Sequence, residues 1–405
     1  MFLFKVALAP GRLMSKFGFV IILGIFGSLV AEWISVPTPP SFFFESANGS
    51  LSESHNLGEK HNLSEGLSSE PSYYKVRRVS DDLTKEVHSA TLVEVEDGAL
   101  SAYWYGGTRE GSKNTVIIHS TLERGFNWKP SRAAASREEA QQALSRYVKK
   151  LGNAVVAYDA NGRLWMFYVS VSVGGWAGSA INVKYSDDMG LSWSATKRLL
   201  TSPFLNISTL VKGRPYFYDD GTIGLPVYHE FIGKFPELLH LDGNGDVIGK
   251  KRLWWGRASL QPELVATGKQ TAVVFLRSAD EELNRILRME TANGGSDWST
   301  PEALSLVNPN AGIAALRRSK GGILMVFNNT PEQRNVLSLA HSRDEGKTWK
   351  VIHDFEHYNG PKPLERFSYP SIIKSSDGHY HMLYTWNRTQ IKHVEFNDTW
   401  LEELL

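Results

Sequence analysis

Residues 186–193 read Ser-Asp-Asp-Met-Gly-Leu-Ser-Trp, and residues 342–349 read Ser-Arg-Asp-Glu-Gly-Lys-Thr-Trp. Both fit Ser-x-Asp-x-Gly-x-x-Trp. Two weaker copies keep the Gly and the Trp at the same offsets: residues 121–128 (TLERGFNW) and 291–298 (TANGGSDW). The four copies start at 121, 186, 291 and 342, so the spacings are 65, 105 and 51, and the middle gap has room for one eroded copy. Each part of the motif has a task in a tight turn. The carboxylate accepts backbone N–H groups, the glycine supplies a positive φ, and the indole packs between strands. The motif is therefore read as a structural staple that closes one hairpin in each repeat.

A second repeat runs through the same region. Apolar strand, polar turn with glycine, apolar strand recurs six times, with turns near 97, 161, 220, 268, 321 and 377. Asp-Gly between alternating strands signals a hairpin. Six such units of roughly four strands, about 50–60 residues apart, predict an all-β, six-bladed β-propeller in which each blade buries its faces against its neighbours. The stretch 136–151 (SREEAQQALSRYVKKL) reads as an amphipathic helix inserted before the second blade.

Composition narrows the function classes. The 405 residues are 42% hydrophobic, enough for a large core, and the formal net charge of +1 argues against nucleic acid as a partner. Twelve Trp, fifteen Tyr and nineteen Phe suit strands and also suit clefts that cover the apolar face of a sugar. With no Cys, disulfides, thiolate metal sites and a cysteine nucleophile are excluded. No metal-ligand cluster stands out: the DGNGD stretch at 242–246 reads as a surface hairpin before it reads as a calcium loop, and no cofactor is expected. Lys5, Arg12 and Lys16 precede an apolar run, Phe17–Ala31, of signal-peptide length. Residues 1–35 are expected to be an export signal or retained membrane anchor, residues 36–72 a polar linker, and 73–405 the propeller. The expected setting is exported, periplasmic or anchored facing outward.

Propeller sites gather where innermost strands begin and second strands end. The beginnings give His88, Asn153, Arg214, Gln261, Asn310 and Tyr369. The ends give Arg109-Glu110, Trp176, His229-Glu230, Arg277, Asn328-Asn329 and Asn387-Arg388. Converging cations repel unless an anion lies between them, and the guanidinium fork matches a carboxylate. Arg109, Arg214, Arg277 and Arg388 thus predict an anionic ligand, most simply an acidic sugar. Trp176, in a Gly-rich loop, is a candidate for stacking on a sugar ring, and Gln261 and Asn328 are candidates for bonding to hydroxyls.

With these motifs the chain resembles the sialidase superfamily, and within it the bacterial predicted neuraminidases with BNR-type repeats. The matching stretches include HSATLVEVEDG, GGTREG, SVSVGGWAGS, VYHEFIGKFPELL, LQPEL, NPNAGI, FSYPSII and YTWNRTQIKHV, from about residue 75 to the C-terminus. The resemblance implies a tyrosine nucleophile at Tyr369, an acid/base at Glu110, a carboxylate such as Glu230 (or Glu263) activating the tyrosine, and a carboxylate clamp of Arg109, Arg277 and Arg388, with Arg214 close behind. The chain departs from the family where His88-Ser89-Ala90 replaces the usual Arg-Ile-Pro. His88 is then a further acid/base candidate, and acidic sugars other than sialic acid become credible. The expected activity is exo-glycosidase cleavage of a terminal acidic sugar. The alternatives are a polysaccharide lyase acting on a uronate and a non-catalytic glycan-binding propeller.

Overall fold

Period-two alternation, broken by glycine turns, produces short antiparallel strands, and no sheet of four such strands is stable alone. The computed structural model describes Phe42 and residues 70–405, apart from 96–97, 124, 204–205 and 363–364. The expected leader and most of the expected linker lie outside the described residues. Among the described residues no helix is long and apolar enough to cross a membrane.

The strands form six sheets. The first blade holds β2 (Glu86–Glu94), β3 (Leu100–Gly107), β4 (Val116–Leu122) and β5 (Arg132–Ala135). The second holds β6 (Lys150–Tyr158), β7 (Leu164–Val171), β8 (Ser179–Ser186) and β9 (Lys197–Arg198). The third holds β10 (Thr209–Val211), β11 (Tyr216–Phe217), β12 (Ile223–His229), β13 (Phe235–Leu241) and β14 (Val247–Arg252). The fourth holds β15 (Ser259–Ala266), β16 (Ala272–Ser278), β17 (Arg285–Thr291) and β18 (Glu302–Val307). The fifth holds β19 (Ala314–Arg317), β20 (Ile323–Phe327), β21 (Val336–Ser342) and β22 (Lys350–His357). The sixth joins β23 (Phe367–Lys374), β24 (Tyr380–Trp386) and β25 (Gln390–Phe396) to β1 (Tyr74–Arg78), which comes from the other end of the chain. That pairing, Tyr74 opposite Phe396 through Arg78 opposite Lys392, closes the ring.

The Ser-x-Asp-x-Gly-x-x-Trp loops connect third to fourth strands. Asp344 accepts from Thr348 N (2.8 Å), Thr348 Oγ1 (2.6 Å) and Ser342 Oγ (2.8 Å), and Asp188 makes the same set with Ser192 and Ser186. The glycine has a second task, because it lies against an aromatic ring of the preceding blade. A Cβ on Gly190 would come within 2.7 Å of the Tyr103 hydroxyl, and one on Gly346 within 2.5 Å of Phe275. Gly245 leans on Trp165 in the same way, at 2.8 Å. The Asp242–Asp246 hairpin, in which Asp242 accepts from Asn244 N and Asp246 N, is thus the eroded copy in the middle gap. Among the described residues no group of His, Asp and Glu could hold a metal ion.

Two expectations need correction. The staple is absent from the sixth blade, whose outer strand β1 does not follow β25 in the chain and so leaves no turn to staple. The inserted helix is shorter than 136–151: it spans Arg137–Ala143, opened by a capping box between Ser136 and Glu139. It ends there because Ser145 turns left-handed (φ 48°) and the chain must extend into the inner strand β6.

Candidate active site

The innermost strands are β2, β6, β10, β15, β19 and β23. Four of them carry the same irregularity against their partners: one extra residue between His88 and Thr91, Leu151 and Ala154, Leu260 and Glu263, and Ser368 and Ser371. A bulge of this kind bends the strand and re-aims a side chain. Ser89, Gln261 and Tyr369 occupy equivalent bulge positions with φ of 54°, 53° and 52°, and Ser208 and Asn310 are left-handed just before β10 and β19. Proline follows Gln261 and Tyr369, which a bulge tolerates because no ladder N–H is needed there. Non-glycine residues held at positive φ mark strain that the surrounding structure must hold in place. All of these lie at one mouth of the ring, opposite the glycine hairpins and the Asp loops.

Tyr369 is at the centre. Its hydroxyl accepts a hydrogen bond from Gln261 Nε2 at 3.3 Å, and the same amide reaches the Tyr228 hydroxyl at 3.3 Å. Arg277 donates to Gln261 Oε1 (3.1 Å) and to Asn310 Oδ1 (2.5 Å), while Arg334 donates to Asn310 O (2.9 Å). Arg334 is pushed below the ordinary guanidinium range, first by burial and then by repulsion from Arg277, Arg388 and Arg366, with Tyr369 acting the other way. Four cations from blades four, five and six therefore feel one another around one phenol.

The acids are fewer. Glu110 pairs with Arg388 at 2.7 Å and hydrogen-bonds the Tyr105 hydroxyl. Its backbone N–H donates to Glu86 Oε2 at 2.8 Å, which holds the loop in place. Burial, Glu110 and Tyr369 all push the Tyr105 phenol well above its usual range. Glu230 is pushed up by burial, against the pull of Arg277 and Lys234, and its N–H donates to Ser208 Oγ at 2.8 Å. His88 is buried with its ring edge-on to Tyr369, centroids 4.7 Å apart. Burial, Arg388 and Arg334 lower its pKa far below 6.5, so the imidazole is neutral. Its Nδ1 is buried without a hydrogen-bond partner. A neutral imidazole suits a base and does not suit a proton donor.

The structure thus brings Tyr369, Gln261, Arg277, Arg388, Glu110, His88 and Glu230 to one mouth and places the other candidates elsewhere. Arg109 is exposed on the loop after β3, and among the described residues no interaction ties it to the cluster. Arg214 lies lower in the channel, beside Glu263 and Lys212, which pair at 3.3 Å. Burial lowers its pKa and Glu263 opposes that shift. Trp176 packs on Gly152 and carries the Lys150 ammonium 3.6 Å above its ring, so one face is already covered. Asn328 is fully buried, and its amide ties Val336 O (2.9 Å) to Phe367 O (3.0 Å), a cross-link between strands. Sequence reasoning missed Arg334, on the β20–β21 loop, and Arg366, just before β23. It also missed Tyr105 and Tyr228, which alternate like core residues along β3 and β12.

Comparison with known proteins bears on the fold and the family. Residues 98–382 match the BNR repeat-like domain. The chain belongs to that family. Among solved structures, this BNR-repeat protein is similar to the Hadza microbial sialidase Hz136 (17% identity, TM-score 0.65, covering 80% of this chain and 67% of that one). It is also similar to the NanB sialidase from Streptococcus pneumoniae (11%, 0.64, 80% and 70%) and to a protein of unknown function from Dyadobacter fermentans (13%, 0.64, 80% and 99%). At these identities the likeness establishes a shared fold. Among curated proteins no significant match was found.

Proposed function

We propose that this BNR-repeat propeller is a glycoside hydrolase that removes a terminal acidic sugar from a glycan. The observation that carries the reading is the convergence of Arg277, Arg334 and Arg388 around the Tyr369 hydroxyl. The sugar carboxylate bonds to Arg277 and Arg334, whose forks keep donors to spare after binding Asn310. The Tyr369 oxygen attacks the anomeric carbon as the bond to the leaving oxygen breaks, and the phenolic proton passes to Glu230, the second acid of the mouth, whose raised pKa suits a proton acceptor. A phenol suits this because a charged nucleophile would be repelled by a carboxylate on the reacting centre. Glu110 supplies the proton to the leaving oxygen and later takes one from the water that releases the sugar. In the free protein Glu110 is tied to Arg388, and a substrate anion that draws Arg388 away frees it for that task. The apolar run Phe17–Ala31 supports an exported or membrane-tethered setting.

A second reading, a lyase acting on a uronate, is favoured by one feature. The Tyr369 hydroxyl meets an amide where a hydrolase would want a carboxylate base, and a neutral imidazole lies against its ring. In that case His88 removes the proton beside the carboxylate, Tyr369 protonates the departing oxygen, and a carbon–carbon double bond forms as the glycosidic bond breaks. Mass and ultraviolet analysis of products from sialylated and uronic-acid glycans separates the two readings. Hydrolysis adds one water and leaves no absorbing product, whereas elimination adds none and leaves an unsaturated sugar. Tyr369→Phe is expected to lower turnover at least about 10³-fold. Undiminished turnover in that variant contradicts both readings.

A further inference from the structure

Beside Tyr369 lies a cavity of about 560 Å³ lined by Arg334, Arg366, Arg388, Asn387, Ser368 and Glu332. One carboxylate uses one or two guanidinium forks, and the pair Arg277 and Arg334 already suffices for it. Arg366 and Arg388 remain, on facing loops. Those loops are locked to each other: Asn387 Oδ1 accepts from Arg366 N (2.6 Å), and Asn387 N donates to Arg366 O (2.8 Å).

The turn between β24 and β25 adds an independent observation. Asn387 and Arg388 are both left-handed, with φ of 49° and 60°. Thr389 N donates to Trp386 O (3.0 Å), which places Asn387 and Arg388 at the two central positions of a tight turn; turns with both central residues left-handed favour Asn-Gly, because the second position is strained for any residue with a Cβ. An arginine there costs stability that glycine would not, and such strain marks a functional position. Among the described residues, only Glu110 forms an ion pair with any of the four guanidiniums. Glu332 lines the same cavity, but it is exposed and forms no ion pair among the described residues.

We propose that Arg366 and Arg388 form a second anion subsite, so that the preferred ligand is a glycan fragment carrying two anionic groups, one on the sugar at Tyr369 and one on the adjoining unit. The proposal rests on the acidic-sugar reading of the mouth and extends it to polyanionic chains. The second group is a carboxylate on a neighbouring acidic sugar or a sulfate on a neutral one; both suit a guanidinium fork. The surplus positive charge is then balanced by ligand, and Arg334 is relieved of its repulsion.

The test is calorimetric binding to the full chain at low salt, with four probes: a mono-uronic acid, a di-uronic acid, a sulfated uronic-acid disaccharide, and a neutral disaccharide. The expected result is binding of at least one dianionic probe at least tenfold tighter than the monoanion. Arg366→Gln should bring that ratio close to one while changing monoanion affinity less than threefold. The di-uronic and sulfated arms identify which second group is taken. Equal affinity for mono- and dianions, no binding of either dianion, or a ratio unchanged in Arg366→Gln overturns the subsite. Failure of the acidic-sugar reading looks different: the neutral disaccharide would bind as well as the mono-uronic acid. Arg366→Lys keeps the charge but not the fork, and should restore part of the ratio.

Discussion

The two rims of the ring are built by opposite rules. At the rim of hairpins and Asp loops, positive φ falls mainly on glycine, carboxylates such as Asp188, Asp242 and Asp344 are satisfied by neighbouring N–H and O–H groups, and the same turn recurs, with changes, in the first five blades. At the mouth, positive φ falls on Ser89, Gln261, Asn310, Tyr369 and Arg388, cations outnumber their acids, and His88 Nδ1 is buried without a partner. The backbone device is still repeated there, since four inner strands carry the same bulge. Its side chains differ at every blade. One rim spends its sequence on closing the ring, and the other spends stability on a site.

The contrast is broken most severely at the mouth. Arg277→Gln removes the guanidinium that orders Gln261 and Asn310 and that, in the proposed function, binds the sugar carboxylate. Loss of a buried charged partner costs about 2–5 kcal/mol, so kcat/KM on an acidic glycan should fall roughly 30- to 5000-fold. Melting temperature should stay within a few degrees or rise, because cation repulsion at Arg334 is relieved. A large drop in melting temperature with unchanged kcat/KM would mean that Arg277 belongs to the structural rim's logic.

The converse experiment is Asp344→Ala. It removes the acceptor of the Thr348 and Ser342 bonds. The expected loss is about 1–2 kcal/mol, or roughly 1–3 °C in Tm, with kcat per folded molecule unchanged. Acid should act in the same direction. Burial pushes the Asp344 pKa up, but the hydrogen bonds from Thr348, Ser342 and Lys347 together outweigh it and hold it at about 2, below its ordinary 3.8. A depressed folded pKa contributes stability above the unfolded value, and this is lost as pH falls through about 4 to about 2. Chemical denaturation across that range should show a smaller fall in Asp344→Asn than in the wild type.

The smallest effect belongs to the ring closure. His379 is raised to about 9, chiefly by its hydrogen bond to Glu395 (2.9 Å) and also by Glu70 (3.2 Å). A raised folded pKa contributes stability that is complete below the ordinary 6.5 and is lost as pH rises through about 9. Thermal melts should therefore show a modest decline between those limits that Glu395's neighbour variant His379→Gln lacks. A parallel decline in both proteins would dissociate this pair from the closure of β1 on β25.

The same contrast explains what could be read from the sequence. The staple loops and six hairpin turns were visible because they repeat, and repetition is what a ring of equivalent blades imposes. Tyr369 and Arg277 were visible because they flank those hairpins. Arg334 and Arg366 sit outside the repeating unit, on a second-to-third-strand loop and on the connection into β23, where blades have no reason to agree. Asn328 has the composition of a loop residue, and only burial reveals that its amide ties three strand ends together. Gln261 was legible as a mouth residue, but its contact with Tyr369 joins positions 108 residues apart and follows only from closure of the ring.

The most direct measurement is a crystal structure of the protein soaked with an acidic monosaccharide. The account predicts its carboxylate within hydrogen-bonding distance of Arg277 and Arg334, with the sugar ring beside the Tyr369 hydroxyl. A carboxylate left in solvent, or a sugar seated at the opposite rim, would contradict it.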